Sequence, residues 1–206
     1  MFENRTRAGD RLAEQLREAG VDVDLVLAIP RGALPVGRAV ADAFGVPLDV
    51  VAAKKLGAPG NPELAIGAVA SDGSEWLNER LVDDLGIDGG YVDRERSAAA
   101  ETAREKADRY RRGRPPLDLA GKRVAIVDDG VATGATMHAC IAAARNAGAE
   151  RVVVAVPVGA PDSLAELAGD ADEVVSVERP ARFGAVGQFY RQFEQVSDEE
   201  ALAYLE

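Results

Sequence analysis

The residues with the clearest chemical meaning lie in one run, Val124-Ala125-Ile126-Val127-Asp128-Asp129-Gly130-Val131-Ala132-Thr133-Gly134-Ala135-Thr136-Met137. Its four leading apolar residues predict a buried parallel strand, and the two carboxylates stand at the C-terminal end of that strand, where open α/β sheets bind ligands. A loop of small and hydroxyl-bearing residues follows and opens a helix. Its backbone N–H groups, the helix N-terminus and the Thr133 and Thr136 hydroxyls together form a cradle for a phosphate dianion, and the small Gly134 and Ala135 let the anion approach the backbone. The two halves of the run make opposite demands. Asp128 and Asp129 repel phosphate and suit hydroxyls or a metal, whereas the loop suits phosphate. A sugar phosphate satisfies both: the cis-diol of a ribose donates to the carboxylates and its 5′-phosphate enters the loop.

Such groups need a scaffold of alternating strands and helices. Hydrophobic periodicity predicts a helix over Arg7–Ala19 ended by Gly20, a strand over Asp24–Ile29 closed by Pro30, a helix over Gly32–Phe44 ended by Gly45, and a strand over Leu48–Ala53 closing on Lys54-Lys55. Strand, helix, strand implies a right-handed parallel crossover. The middle reads as a strand at Leu64–Ala70, turn chemistry at Ser71–Ser74, a returning Glu75–Asn78 and a short helix over Asn78–Leu85. A long helix over Val92–Arg112 follows, broken by Gly113 and Pro115-Pro116, and its many charges read as a solvated face. Strict alternation then resumes with a strand at Arg123–Val127, helix at Ala135–Ala147, strand at Arg151–Val156, helix at Asp162–Leu167 and strand at Glu173–Val177. The expected fold is α/β and Rossmann-like, a mostly parallel sheet with helices on both faces, in a single domain over residues 1–206. Its core spans residues 20–178, and a small hood spans 179–206 with the N-terminal helix packed nearby.

Composition narrows the function classes. The 206 residues include 35 acidic and 24 basic ones, a formal net charge of −11 that disfavours broad nucleic-acid or membrane binding. With one cysteine, Cys140, the chain forms no internal disulfide and no cysteine-based zinc site. The polar start and the short apolar runs predict neither a signal peptide nor a membrane span, so a cytoplasmic protein is expected. No G-x-x-x-x-G-K-[ST] is present and no lysine enters the phosphate loop, which excludes a P-loop NTPase; no G-x-G-x-x-G follows a strand. The only lysines are Lys54, Lys55, Lys106 and Lys122. Cys140 reads as buried filler, and His138, the only histidine, reads as a surface or interface side chain rather than a general base.

The Val124–Met137 run closely resembles the 5-phosphoribosyl-1-pyrophosphate (PRPP) motif of type I phosphoribosyltransferases: apolar residues, two acids, and a loop ending T-G-[GA]-T. The resemblance implies that Asp128 and Asp129 bind the ribose hydroxyls and that Val131, Ala132, Thr133, Gly134, Ala135 and Thr136 enclose the 5′-phosphate. Ile29-Pro30-Arg31-Gly32 resembles the family's pyrophosphate loop, which often carries a cis peptide, and Lys54-Lys55 falls where the family places a cation near pyrophosphate. The stretch Lys54–Ala68, Tyr110-Arg111, Gly113-Arg114-Pro115 and the tail Val186–Tyr190 look like a little-characterised branch of the same family, so that the resemblance covers nearly the whole chain.

What the resemblance implies is a Mg²⁺-dependent substitution at C1 of PRPP by a small nitrogenous base, releasing pyrophosphate, in a protein that forms a homodimer. Arg31 and the aspartates would be the catalytic groups, with Pro30, Arg31, Gly32, Lys54 and Lys55 around pyrophosphate. The metal would be held through PRPP, with Asp128 and Asp129 as the protein groups beside it rather than a dedicated ligand set. Either Leu56–Pro62 or Gly86–Tyr91 would act as the water-excluding loop. Phe183, Phe189 and Tyr190 of the tail, in a chain only 5% aromatic, could stack on the base. Ala132 stands where hypoxanthine-guanine members carry an aspartate; alanine is what adenine members have, although the rest of the adenine pattern is not evident. Two other readings keep the same site: a PRPP- or nucleotide-sensing regulator without turnover, and a hydrolase or phosphorylase of a ribose phosphate.

Overall fold

A computed structural model describes all 206 residues. Its central sheet has five parallel strands in the order β2-β1-β6-β7-β8: β1 (Leu25–Ala28), β2 (Leu48–Val50), β6 (Arg123–Val127), β7 (Arg151–Val158) and β8 (Glu173–Glu178). Strands covered on both faces need unbroken apolar runs rather than alternation. Accordingly β1 is buried throughout, and β7 is buried throughout except at Arg151. On one face Val26, Ala125, Val127 and Val153 meet α1 (Arg5–Glu18) and α2 (Leu34–Phe44) through Leu12, Leu16, Val36 and Val40. On the other, Leu25, Leu27, Val124 and Ile126 meet α5 (Ala135–Asn146) through Met137, Ile141 and Ala144. Helix α6 (Pro161–Leu167) joins β7 to β8.

One expected strand divides differently. β2 ends at Val50, and Ala53 begins β3 (Ala53–Ala58), which leaves the parallel sheet and pairs antiparallel with β4 (Asn61–Ala70); β5 (Glu75–Leu77) completes a separate three-stranded sheet. The cause is its covering. Leu56, Ile66 and Val69 bury against Val92, Ala99 and Ala100 of α4 (Gly89–Arg111), while Ala53, Ala68 and Ala70 join the main core. The short α3 (Glu79–Asp84) follows β5, with the Asn78 side chain capping it by accepting from the Leu81 N–H. The long helix buries a stripe of small residues and Tyr110, and most of its charges lie on the exposed face, as expected.

The two ends of the chain are joined. The Phe2 N–H donates to the Phe189 carbonyl at 2.7 Å, and the Arg191 N–H donates to the Phe2 carbonyl at 2.9 Å. A 3₁₀ turn (Val186–Phe189) and α7 (Asp198–Ala203) complete the tail. Ser197 and Glu200 start α7 with a capping box.

Candidate functional site

Register assembles the site. Ala28 lies beside Val127 in the parallel pair β1–β6, so the chain leaving β1 as Pro30-Arg31-Gly32 runs beside Asp128-Asp129 leaving β6. β1 and β6 are also where the connections part, one leading to β2 and the other to β7, and ligands of open α/β sheets bind in the crevice at that switch point. The Pro30–Arg31 peptide is cis. At Gly32 any side chain would collide with the site: a Cβ there would lie 2.6 Å from Asp129 Oδ2.

Asp128 accepts one hydrogen bond, from the Asp129 N–H at 2.8 Å. Burial, then the neighbouring Asp129 charge, pushes the Asp128 carboxyl well above the usual carboxylate range. Asp129 is also pushed up by burial, opposed by Arg5, whose Nε donates to Oδ2 at 2.8 Å. Arg5 donates as well to the Glu194 carbonyl and lies over the Phe193 ring at 3.8 Å. An arginine from the first helix thus reaches the acid pair through the tail. Nothing in the residues around Arg5 signals this, because the contact depends on how the two termini pack.

From Ala132 onward the loop presents the free donors that an anion needs. No amide from Ala132 through Met137 donates to a backbone acceptor, although the loop sits at the N-terminus of a full helix. Gly134 takes φ +78°, a conformation that L side chains rarely adopt, and the Ser163 hydroxyl donates to the Ala132 carbonyl at 2.6 Å. Thr133 is exposed and Thr136 half-buried. Val131 has a different role from the one expected. Its side chain is buried and its N–H donates to the Val158 carbonyl at 2.9 Å, so it anchors the loop and has no free amide.

Several other expectations are corrected. Tyr190 is 6% exposed, between Phe2 (ring centroids 5.3 Å apart) and Phe193 (5.0 Å), and its hydroxyl donates to the Asp129 carbonyl at 2.6 Å. It holds the acid pair and offers no open face to a base, whereas Phe183 and Phe189, 5.1 Å apart, stay partly exposed. Lys54 and Lys55 do not close β2; they lie within β3 on opposite faces, with Lys55 3.8 Å from Glu63. His138 is buried rather than on the surface. The β3–β5 sheet lies across α5, stacking Trp76 on the imidazole at 4.5 Å, and Nδ1 meets Asp170 Oδ2 at 2.6 Å. Cys140 is buried as expected, and burial raises its thiol pKa. The two candidate loops form one unit, because the Tyr91 hydroxyl donates to the Gly57 carbonyl at 2.9 Å.

Lys106, which the motifs do not point to, lines a cleft with Arg31 and Tyr110. It is half-buried on α4, and burial pushes its ammonium below the usual lysine range, with Asp128 opposing the shift and Lys54 and Arg31 adding to it. One usable signal is its place four residues before the buried Tyr110 at the edge of the alanine stripe. No helix is long and apolar enough to cross a membrane.

Comparison with known proteins identifies the family. The phosphoribosyl transferase domain model matches residues 2–194. Two Mycobacterium tuberculosis proteins, from strains CDC 1551 / Oshkosh and ATCC 25618 / H37Rv, are named as candidate phosphoribosyl transferases; each is 46% identical over 207 residues, covering 100% of this chain and 46% of the relative. This chain therefore spans about half the length of the curated relatives it matches. The crystal structure of TT1426 from Thermus thermophilus superposes with a TM-score of 0.84 at 43% identity, covering 100% of this chain and 97% of that one. Matched by the family over almost its whole length, and aligned over its full length with these relatives, the chain belongs to the phosphoribosyl transferase domain family.

Proposed function

We propose that this domain binds PRPP along the β1–β6 edge and transfers its phosphoribosyl group to a nitrogenous base, releasing pyrophosphate. The observation that carries the reading is the pairing, at one sheet edge, of two crowded carboxylates with a run of uncommitted amides at a helix N-terminus. Those are the complements of a ribose diol and a phosphate dianion. The amides of Ala132–Met137, with the Thr133 and Thr136 hydroxyls, would hold the 5′-phosphate. The diol would donate to Asp128 and Asp129, relieving two carboxylates that now repel each other. As positive charge grows on the ribose ring, the same carboxylates would stabilise it electrostatically. The Arg31 guanidinium and the amides of the Pro30–Gly32 loop would meet the departing pyrophosphate.

Mg²⁺ is the cofactor that the family resemblance implies. No group of three or more His, Cys, Asp or Glu side chains is placed to hold a metal. The oxygens of Asp128 and Asp129 fit an ion that takes most of its ligands from substrate and water. Such an ion would supply neutralisation of the pyrophosphate charge. Phe183 and Phe189 are the aromatic groups left for the base, and the β3–β4 hairpin, tied to α4 by Tyr91, is the segment proposed to exclude water.

The test is incubation with Mg²⁺ and PRPP against a panel of purine, pyrimidine and nicotinic bases, following pyrophosphate and nucleotide. Base-dependent pyrophosphate release with nucleotide formation is the expected result. Release without a base would replace the transferase with a hydrolase, and binding without release would replace it with a sensor.

A further inference from the structure

The C-terminal helix reaches back to the pyrophosphate side of this edge. Asp198, the first residue of α7, accepts from three donors: Arg31 Nη1 to Oδ1 at 3.0 Å, the Tyr110 hydroxyl to Oδ1 at 2.7 Å, and Arg109 Nη1 to Oδ2 at 3.2 Å. The contact closes a cleft of about 280 Å³ between the Arg31 loop and α4, lined on the α4 side by Thr102, Glu105, Lys106, Arg109 and Tyr110. Three cations therefore face a volume in which a single carboxylate is the bound anion, with Glu105 the other acid on the wall. Hydrogen bonds from Tyr110 and Arg31 hold the Asp198 carboxyl below its usual range, so it is present as the anion. Lys106 lines the same cleft as Arg31 and Asp198.

Two arginine contacts and a phenol on one oxyanion are the recognition pattern of a phosphate group as much as of a carboxylate. The resident anion is also lightly held. Its side chain is 38% exposed, and exposed ion pairs contribute little net stability. A pyrophosphate carries more charge and more acceptor oxygens for the same donors.

We propose that α4 supplies the second wall of the pyrophosphate pocket through Lys106, Arg109 and Tyr110, and that the Asp198 carboxylate is an internal stand-in which pyrophosphate must displace. This rests on the reading of the β1–β6 edge as the PRPP site, and assigns the leaving-group cations to α4 rather than to the Lys54-Lys55 pair. On exchange, Asp198 returns to solvent with its negative charge and the Arg31, Arg109 and Tyr110 donors pass to the incoming oxygens.

The experiment is calorimetric titration of the whole chain with inorganic pyrophosphate in MgCl₂ and, separately, with ribose 5-phosphate. Asp198→Asn removes the competing charge and is expected to tighten pyrophosphate binding about fivefold, while Lys106→Gln and Arg109→Gln each weaken it about tenfold, the scale of one charge-assisted contact. Arg109→Gln should leave ribose 5-phosphate affinity within about twofold, since it lies outside the phosphate loop. Asp198→Ser, which also starts a helix, serves if the asparagine variant does not fold. Unchanged or weaker pyrophosphate binding in the Asp198 variants overturns the stand-in, and unchanged binding in both α4 variants overturns the wall. Wild-type binding of ribose 5-phosphate without pyrophosphate would sink this inference alone. Failure to bind ribose 5-phosphate would instead strike the phosphate-loop assignment beneath it.

Discussion

The two ends of the β1–β6 pair treat their carboxylates in opposite ways. At the N-terminal end Asp24 receives the Arg123 N–H and Nε on Oδ2, at 2.8 and 3.0 Å, and Arg123 Nη2 on Oδ1 at 2.7 Å. These hydrogen bonds hold the Asp24 carboxyl well below the usual range. At the C-terminal end Asp128 has a single N–H donor and a like-charged neighbour, and its carboxyl is pushed well above that range. The strands, their register and the residue type are shared; the donors differ. One edge is satisfied within the chain and closes the sheet. The other is left wanting donors, which is the condition of a ligand site.

The largest effect that would break this contrast is at the acid pair. Asp129→Asn removes the group held by Arg5 and proposed to meet the ribose diol, and should weaken PRPP binding on the order of a hundredfold by calorimetry. Wild-type affinity in that variant would refute the assignment of the pair. At the opposite edge Asp24→Asn should leave ligand binding unchanged and lower the melting temperature by about 4 °C at neutral pH, a modest figure because Arg123 faces solvent. Asp24 has a depressed pKa, so its stabilisation is present above the ordinary aspartate range and is lost as pH falls through the depressed value. The difference between wild type and Asp24→Asn should therefore close in acid.

The smallest expected effect has the opposite sign. Asp128→Asn should raise the melting temperature of the unliganded protein by about 2 °C at neutral pH, because a buried, repelled charge is removed while the amide oxygen can still accept from the Asp129 N–H. For an acid whose pKa is raised on folding, stability is fully present below the unfolded value and is lost as pH rises through the folded one. This gain should thus vanish in acid too, from the other direction. Differential scanning calorimetry from about pH 8 down to about pH 3 checks both variants: the Asp24→Asn difference should begin to shrink at the acid end, where the unfolded carboxyl takes up a proton before the native one does, while the Asp128→Asn gain should fade across the interval. Gains of the same sign at the two edges would erase the distinction between them.

Legibility in the chain follows from the range over which each feature acts. The Val124–Met137 run carries its meaning locally: apolar residues make the strand, the acids end it, and Gly134 permits the positive φ that turns the loop into the helix. The Gly45 cap of α2, the Asn78 cap of α3 and the short strand β8 are likewise written in neighbouring residues. Leu48–Ala53 reads as one strand because Val50–Ala53 is an unbroken apolar run, whereas β2 ends at Val50 and Ala53 already belongs to β3. The break at Val51-Ala52 comes from what covers each side, which a run of Val and Ala does not encode. His138 escapes for the same reason, since a polar residue on a helix is buried here by a hairpin that brings Trp76 over it.

Residue type and order alone thus establish the α/β class, the carboxylates and phosphate loop at a strand end, and the cation of the Pro30–Gly32 turn, because each is a short-range consequence of neighbouring residues. Which distant groups attend that edge is a matter of packing. Arg5 and Tyr190 reach Asp129 because the chain termini pair with each other. Arg109 and Tyr110 meet Arg31 across Asp198 because α4 and α7 close over the same cleft. Such contacts join segments with no shared periodicity, and no local pattern in the chain announces them.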